Sequence, residues 1–173
     1  MSSNIYNISN WVGSTSYKKN DIVIYSNLYY YAASDHNSHA TLFDNDLNNG
    51  KWYGYHQHNG ESKPYFAWIP AYSYTVDNQP RIKKIQLGDG YIQRVPDGIS
   101  NILPSFNLEF ESDLSEATAI LHFLATRVGT ESFVWLPPAP YGVISRWICE
   151  QWTNVQPFYD NYKIQCKFER SVV

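Results

Sequence analysis

The chain of 173 residues carries 13 Lys and Arg against 16 Asp and Glu, a formal net charge of -3, with 43% hydrophobic and 17% aromatic residues. The hydrophobic fraction excludes intrinsic disorder, and the scattered cations exclude direct nucleic-acid binding, which needs clustered Lys and Arg to neutralise phosphates. No stretch approaches the 18 apolar residues of a membrane span, and the surplus of rings over aliphatic side chains points to a β-rich fold.

The opening "MSSNIYNISNW" has no basic and apolar leader pattern, so the chain is expected to be made and kept in a soluble compartment. Residues 1–60, rich in Asn, Ser, Tyr and Asp, read as a small β module. Within it Ile22 to Tyr25 and Leu28 to Ala33 form a predicted hairpin about a Ser26-Asn27 turn. Val23 and Tyr25 share one face, while Tyr29 and Tyr31 share one face of the second strand. Two strands alone are marginal, so Trp11, Tyr17 and Trp52 must close the module; Trp11, Tyr17, Val23, Tyr25 and Tyr31 are assigned to its core. His36, His39, His56 and His58 match no zinc spacing and have no Cys nearby, so they read as solvated loop histidines and no metal is expected.

A second domain, residues 61–173, is expected to begin in the Gly- and Pro-containing stretch between Gly60 and Pro64. Arg81 to Leu87 and Tyr91 to Val95 flank a tight turn at Asp89-Gly90, a hairpin signal because both positions tolerate positive φ. In "SFNLEFES", Phe106, Leu108 and Phe110 alternate with polar residues, giving one buried face. Asp113, with Glu116 three residues on, predicts a helix N-terminus; Leu114, Ala117, Leu121 and Leu124 keep helical spacing until Gly129 ends the run. Then "SFVWL" reads as a strand, "PPAPYG" as a rigid loop, "SRWICEQW" as a strand, "PFYDNY" as a turn and "YKIQCKFERSVV" as the closing strand. The expected fold is mainly β: a small N-terminal β module plus an antiparallel β-sandwich or partly open barrel with one α-helix.

Enzymatic chemistry is not indicated. Asp89, Asp113 and Asp160 each have a local turn or cap to make, no pair of carboxylates is placed for acid/base work, and no nucleophile elbow, phosphate loop or dinucleotide fingerprint occurs. No cofactor is expected. Cys149 and Cys166 read as two reduced, buried thiols, with a single disulfide as the alternative.

From about Phe66 to the C-terminus the chain resembles the minor tail protein M family of lambda-like long-tailed phages. The resemblance rests on Gly88-Asp89-Gly90-Tyr91 with Gln93-Arg94, on Phe133-x-Trp135 followed by Pro137-Pro138, and on the terminal Phe168-Glu169; Leu87 stands where the family more often has Phe. It implies a virion protein at the tail tip, synthesised in the bacterial cytoplasm. Its partners would be copies of itself in a ring, six-fold related, and other tail-tip and tail-tube proteins. Trp135, Pro137, Pro138, Pro140 and Tyr141 are then candidates for the assembly interface, since proline holds an extended, rigid apolar surface at low conformational cost. The first 60 residues are similar to the small carbohydrate-binding module of chitinases, through Trp11, Tyr17, Asn20, Asp21, Val23, Tyr25, Tyr31 and Ala33, closed by Trp52. Ser34-Asp35-His36 replaces the exposed aromatic pair of the chitin binders, which leaves Tyr29, Tyr30, Tyr53 and Tyr55 as candidate contacts to a host-surface glycan. A glycan-binding adhesin carried on the tail is the alternative to a purely structural role.

Overall fold

The computed structural model describes residues 8–55, 64–100 and 102–172. The chain runs β1 (Ser9–Asn10), β2 (Ser16–Tyr17), β3 (Ile22–Tyr25), β4 (Leu28–Ala32), β5 (His36–Asn37), α1 (Phe43–Asn48) and β6 (Trp52–Gly54) in its first part. β1, β3, β4 and β6 form one sheet, and β2 pairs with β5 beside it. Ser26 and Asn27 both take positive φ, the geometry that turns β3 into β4 in two residues.

Both faces of this small sheet are covered. On one, Val23, Tyr30 and Ala32 pack with Tyr17, Phe43 and Trp52, and Trp11 and Tyr25 lean against them. On the other, Ile22, Ile24 and Tyr29 point toward the rest of the chain. Tyr31, assigned by the sequence to the core of the module, lies on this second face, opposite Ile22 and half-buried, while Tyr30 packs in the cluster of Val23, Phe43 and Trp52.

The short helix α1 escapes the sequence pattern because six residues give no periodicity. It is fixed by Phe43 on the cluster and by Asp46, which is buried. Asp46 Oδ1 lies 2.8 Å from Lys51 Nζ, and Oδ2 accepts the His39 N–H at 2.6 Å. Burial works against the charge, but the Lys51 and His39 contacts outweigh it and hold the carboxyl below its ordinary value. Its stabilisation is therefore complete above the unfolded carboxylate value near 3.9 and disappears as pH falls through the lower folded value. Asp46→Asn should cost about 1–2 kcal/mol at neutral pH, and its melting deficit relative to the parent chain should shrink below about pH 4. A deficit that stays constant across that range would show that the charge is not what matters.

The histidines are structural. His39 Nδ1 accepts the N–H groups of Thr41 and Leu42, each at 3.2 Å, ahead of α1. His36 Nδ1 lies 2.8 Å from the Ser34 carbonyl, and its ring meets Trp52 edge to face at 4.9 Å. Both are half-buried rather than solvated, His36 through its ring contacts with Tyr17 and Trp52 and His39 through its hydrogen bonds ahead of α1; His56 and His58 lie outside the described residues. Among the described residues no three His, Cys, Asp or Glu side chains converge on one point.

The second part contributes β7 (Tyr65–Phe66), β8 (Thr75–Asp77), β9 (Ile82–Leu87), β10 (Tyr91–Pro96), β11 (Ser105–Ser112), α2 (Leu114–Thr126), β12 (Phe133–Trp135), β13 (Ser145–Phe158) and β14 (Asn161–Arg170). Six of these strands make one sheet in the order β7-β12-β13-β14-β11-β8. All its pairs are antiparallel except β7 with β12. The inward residues of β11 and β14 pair across the ladder, Phe106 with Phe168, Leu108 with Cys166 and Phe110 with Ile164. β13 runs through to Phe158, further than the sequence suggests, and the turn shrinks to Tyr159 and Asp160, the latter at positive φ. Cys149 and Cys166 are free and buried, and burial pushes the Cys166 thiol up.

Helix α2 begins as the sequence predicts, with Asp113 Oδ1 accepting the Glu116 N–H at 2.8 Å. It ends at Val128 and Gly129, both at positive φ; a Cβ on Gly129 would sit 3.3 Å from the Glu150 backbone. Ala117, Ala119, Ile120, Leu121, Phe123 and Leu124 are all buried, which is more than one stripe of a helix. One side of α2 lies on the six-stranded sheet, and the other meets β3 and Tyr29 of the small sheet. The order is sheet, helix, sheet, with one continuous hydrophobic cluster reaching from Ile8 and Tyr29 to Phe168.

Candidate functional site

The loop after β12 leaves the sheet between two walls. Leu136, Pro137, Pro138 and Ala139 form one wall of a cleft of about 720 Å³, and Tyr31, Tyr55, Tyr65 and Trp68 line much of the rest. The residues from 135 onward split between core and solvent. Trp135 is 2% exposed and meets Phe106, Trp147 and Phe168 edge to face at 5.1 to 5.3 Å, so it is a sheet anchor. Pro137 is buried beside it, Pro138 and Tyr141 are half-buried, and Pro140 is exposed after a cis Ala139-Pro140 bond. Tyr141 packs on Phe106 at 5.1 Å, and the Tyr74 hydroxyl donates to the Ala139 carbonyl at 2.9 Å.

The loop is therefore tied down at both ends by rings and presents Leu136, Pro138, Ala139 and Pro140 between them. Val143 and Ile144 extend the exposed apolar run. Such a surface can bind by shape and burial; among the described residues its lining carries three phenols but no carboxylate, imidazole, amine or thiol.

The tyrosines proposed as glycan contacts lie in three different environments. Tyr29 and Tyr30 are each 7% exposed and occupy opposite faces of the small sheet. Neither can present a ring face to a sugar in this fold. Tyr53 is 52% exposed, and Tyr55 is half-buried in the cleft, its phenol raised by burial and by the charges of Glu116 and Asp113. Tyr31 stands between them, 5.6 Å from Tyr53 and 5.1 Å from Tyr55. Asp35 accepts the Lys19 N–H at 2.8 Å and pairs with Lys18 at 3.1 Å.

Sequence reasoning passed over Tyr65, Trp68 and Leu136. The signal was present in "YFAWIPAYSY", an aromatic run with Ile69 and Tyr72 left exposed, but without the parallel β7 to β12 pairing nothing places it beside the proline loop.

Beneath the cleft, Tyr29 joins the two parts of the chain. Its hydroxyl lies 2.6 Å from His122 Nδ1 on α2. Burial pushes the phenol up to about 12, against the opposing charge of Arg127, while burial and the same Arg127 charge lower His122. Which of the two groups donates is set by the His122 tautomer. Arg127 sits 3.5 Å over the Phe123 ring and donates to the Phe123 carbonyl at 2.6 Å.

Comparison with known proteins reaches the same part of the chain. The phage minor tail protein family profile matches residues 64–172. The chain is similar to tail tip protein M of Escherichia phage lambda, with 32% identity over 89 residues that cover 51% of this chain and 81% of that relative.

Proposed function

This chain belongs to the phage minor tail protein family, and on that premise we propose that it is a structural protein of the virion placed at the tail tip. Copies form a ring between the tail tube and the tip proteins, with the first 60 residues as an accessory module. The reading is carried by the family match over 64–172 and by the lambda relative, whose name places it at a tail tip. The exposed apolar loop from Leu136 to Ile144, beside a largely apolar cleft, supports an assembly role.

Gold-labelled antibody against the chain should decorate purified virions at the distal end of the tail, and particles without label would refute the placement. Within the loop, replacing Pro138 and Pro140 by Gly should leave the chain folded and lower melting only modestly, since neither is fully buried and each lost proline costs about 1 kcal/mol of chain entropy. It should reduce incorporation into tails, because each loosened residue costs about 1–2 kcal/mol of backbone entropy to order. Normal incorporation would remove the loop from the interface.

A second reading, glycan attachment, has one supporting observation: the Tyr31, Tyr53 and Tyr55 strip beside the cleft. It predicts that Tyr53→Ala loses retention on immobilised host-surface glycan with the fold intact.

A further inference from the structure

The hairpin β9–β10 stands apart from both hydrophobic clusters. Every residue from Ile82 to Leu87 and from Tyr91 to Pro96 is exposed, and among the described residues the two strands pair only with each other. Six large apolar side chains are thereby left in water: Ile82, Ile85, Leu87, Tyr91, Ile92 and Val95, between 37% and 75% exposed. An isolated two-stranded ribbon is marginal in water, so this one needs a partner to be held. Its charge indicates which kind. Arg81, Lys83, Lys84 and Arg94 outnumber Asp89 and Asp97 in a chain whose net charge is -3.

A surface of the opposite character lies at the other end of the same molecule. Around the β13–β14 turn, Val155, Phe158, Tyr159 and Leu114 are 53% to 97% exposed. Asp160 and Asp113 sit among them: Asp160 Oδ1 accepts the Leu114 N–H at 3.2 Å, and Asp113 precedes Leu114. Glu111 flanks the turn and engages the nearby cation, Lys163. Among the described residues, the outer part of β13 also has no partner strand on the side away from β14, since β12 pairs only with Ser145 to Trp147.

We propose that the basic, apolar β9–β10 hairpin of one copy docks on the acidic, apolar β13–β14 turn of the next. The two surfaces are different patches on one chain, so the contact is head to tail and propagates around a closed ring or along a filament. This deepens the ring reading and rests on it. Apolar burial supplies the attraction; the matched charges fix which surface meets which.

The test uses purified full-length protein in sedimentation velocity, with circular dichroism confirming that each variant is folded. Lys83→Glu, Lys84→Glu and Arg94→Glu together reverse the hairpin; Glu111→Lys with Tyr159→Lys reverses the turn. All five positions are exposed. Each variant alone should self-associate at least about tenfold more weakly than the parent chain, since like charges then face each other. An equimolar mixture should recover the parent's oligomer, because each reversed hairpin now meets a reversed turn. Unchanged association of either variant, a mixture that stays monomeric, or a parent chain that does not self-associate would each overturn the contact. None of these removes the protein from the tail, which gold labelling of virions decides separately.

Discussion

Trp135→Ala is expected to lower the stability of the chain by about 3–5 kcal/mol, the usual cost of truncating a fully buried large aromatic. In a chain of this length that is roughly 10 °C or more of melting temperature. The size of the effect follows from its position. Trp135 is the last residue of β12, 2% exposed, in edge-to-face contact with Phe106, Trp147 and Phe168. These rings come from three neighbouring strands and interlock, so none can move in to fill the space without breaking its own edge-to-face contacts. A melting shift below a few degrees would mean that the ring cluster collapses around the gap.

Tyr29→Ala should cost a similar amount and change the form of unfolding. Tyr29 is the residue of the small sheet that reaches furthest into the main cluster, with Trp68 at 5.6 Å, Phe123 at 6.0 Å and the His122 hydrogen bond. Losing it should cost about 3–5 kcal/mol, whereas Tyr29→Phe, which keeps the ring and deletes the hydroxyl, should cost about 1 kcal/mol. The parent chain is expected to melt in one calorimetric transition because the cluster is continuous through α2. In Tyr29→Ala the Phe43 and Trp52 cluster should melt first, as a separate transition. One unshifted transition in the alanine variant would show that the two parts are joined by something other than this side chain.

Local signals in the sequence were faithful wherever neighbours in sequence are also neighbours in space. The Ser26-Asn27 and Asp89-Gly90 turns, the Asp113 cap and the alternation of Phe106, Leu108 and Phe110 all concern contacts within a few residues. The mainly β fold with one principal helix followed from them. What remained hidden was nonlocal. The parallel pairing of β7 with β12, which makes the cleft, joins residues nearly seventy positions apart and leaves no periodic trace. The second buried side of α2 could not be read because Ala119, His122 and Phe123 look like ordinary helix formers until Tyr29 is set against them. The tyrosines misled for a related reason: a phenol serves equally as a core ring and as a surface platform, and only burial tells Tyr30 from Tyr53.

The basic residues on the β9–β10 hairpin also govern how the free subunit behaves before it meets any partner. A two-stranded ribbon has two open edges, and with Ile82, Ile85 and Ile92 exposed it is a template on which another ribbon of the same kind could grow into a fibre. Lys83, Lys84 and Arg94 give each ribbon a surplus of positive charge that opposes the approach of another. That protection is electrostatic and therefore belongs to the solvent as much as to the protein. At about 0.1 M salt the charges still reach about 10 Å, and near 1 M they reach about 3 Å. Dilute buffer is therefore expected to keep free ribbons apart, and raising salt toward about 1 M should increase light scattering from the purified subunit.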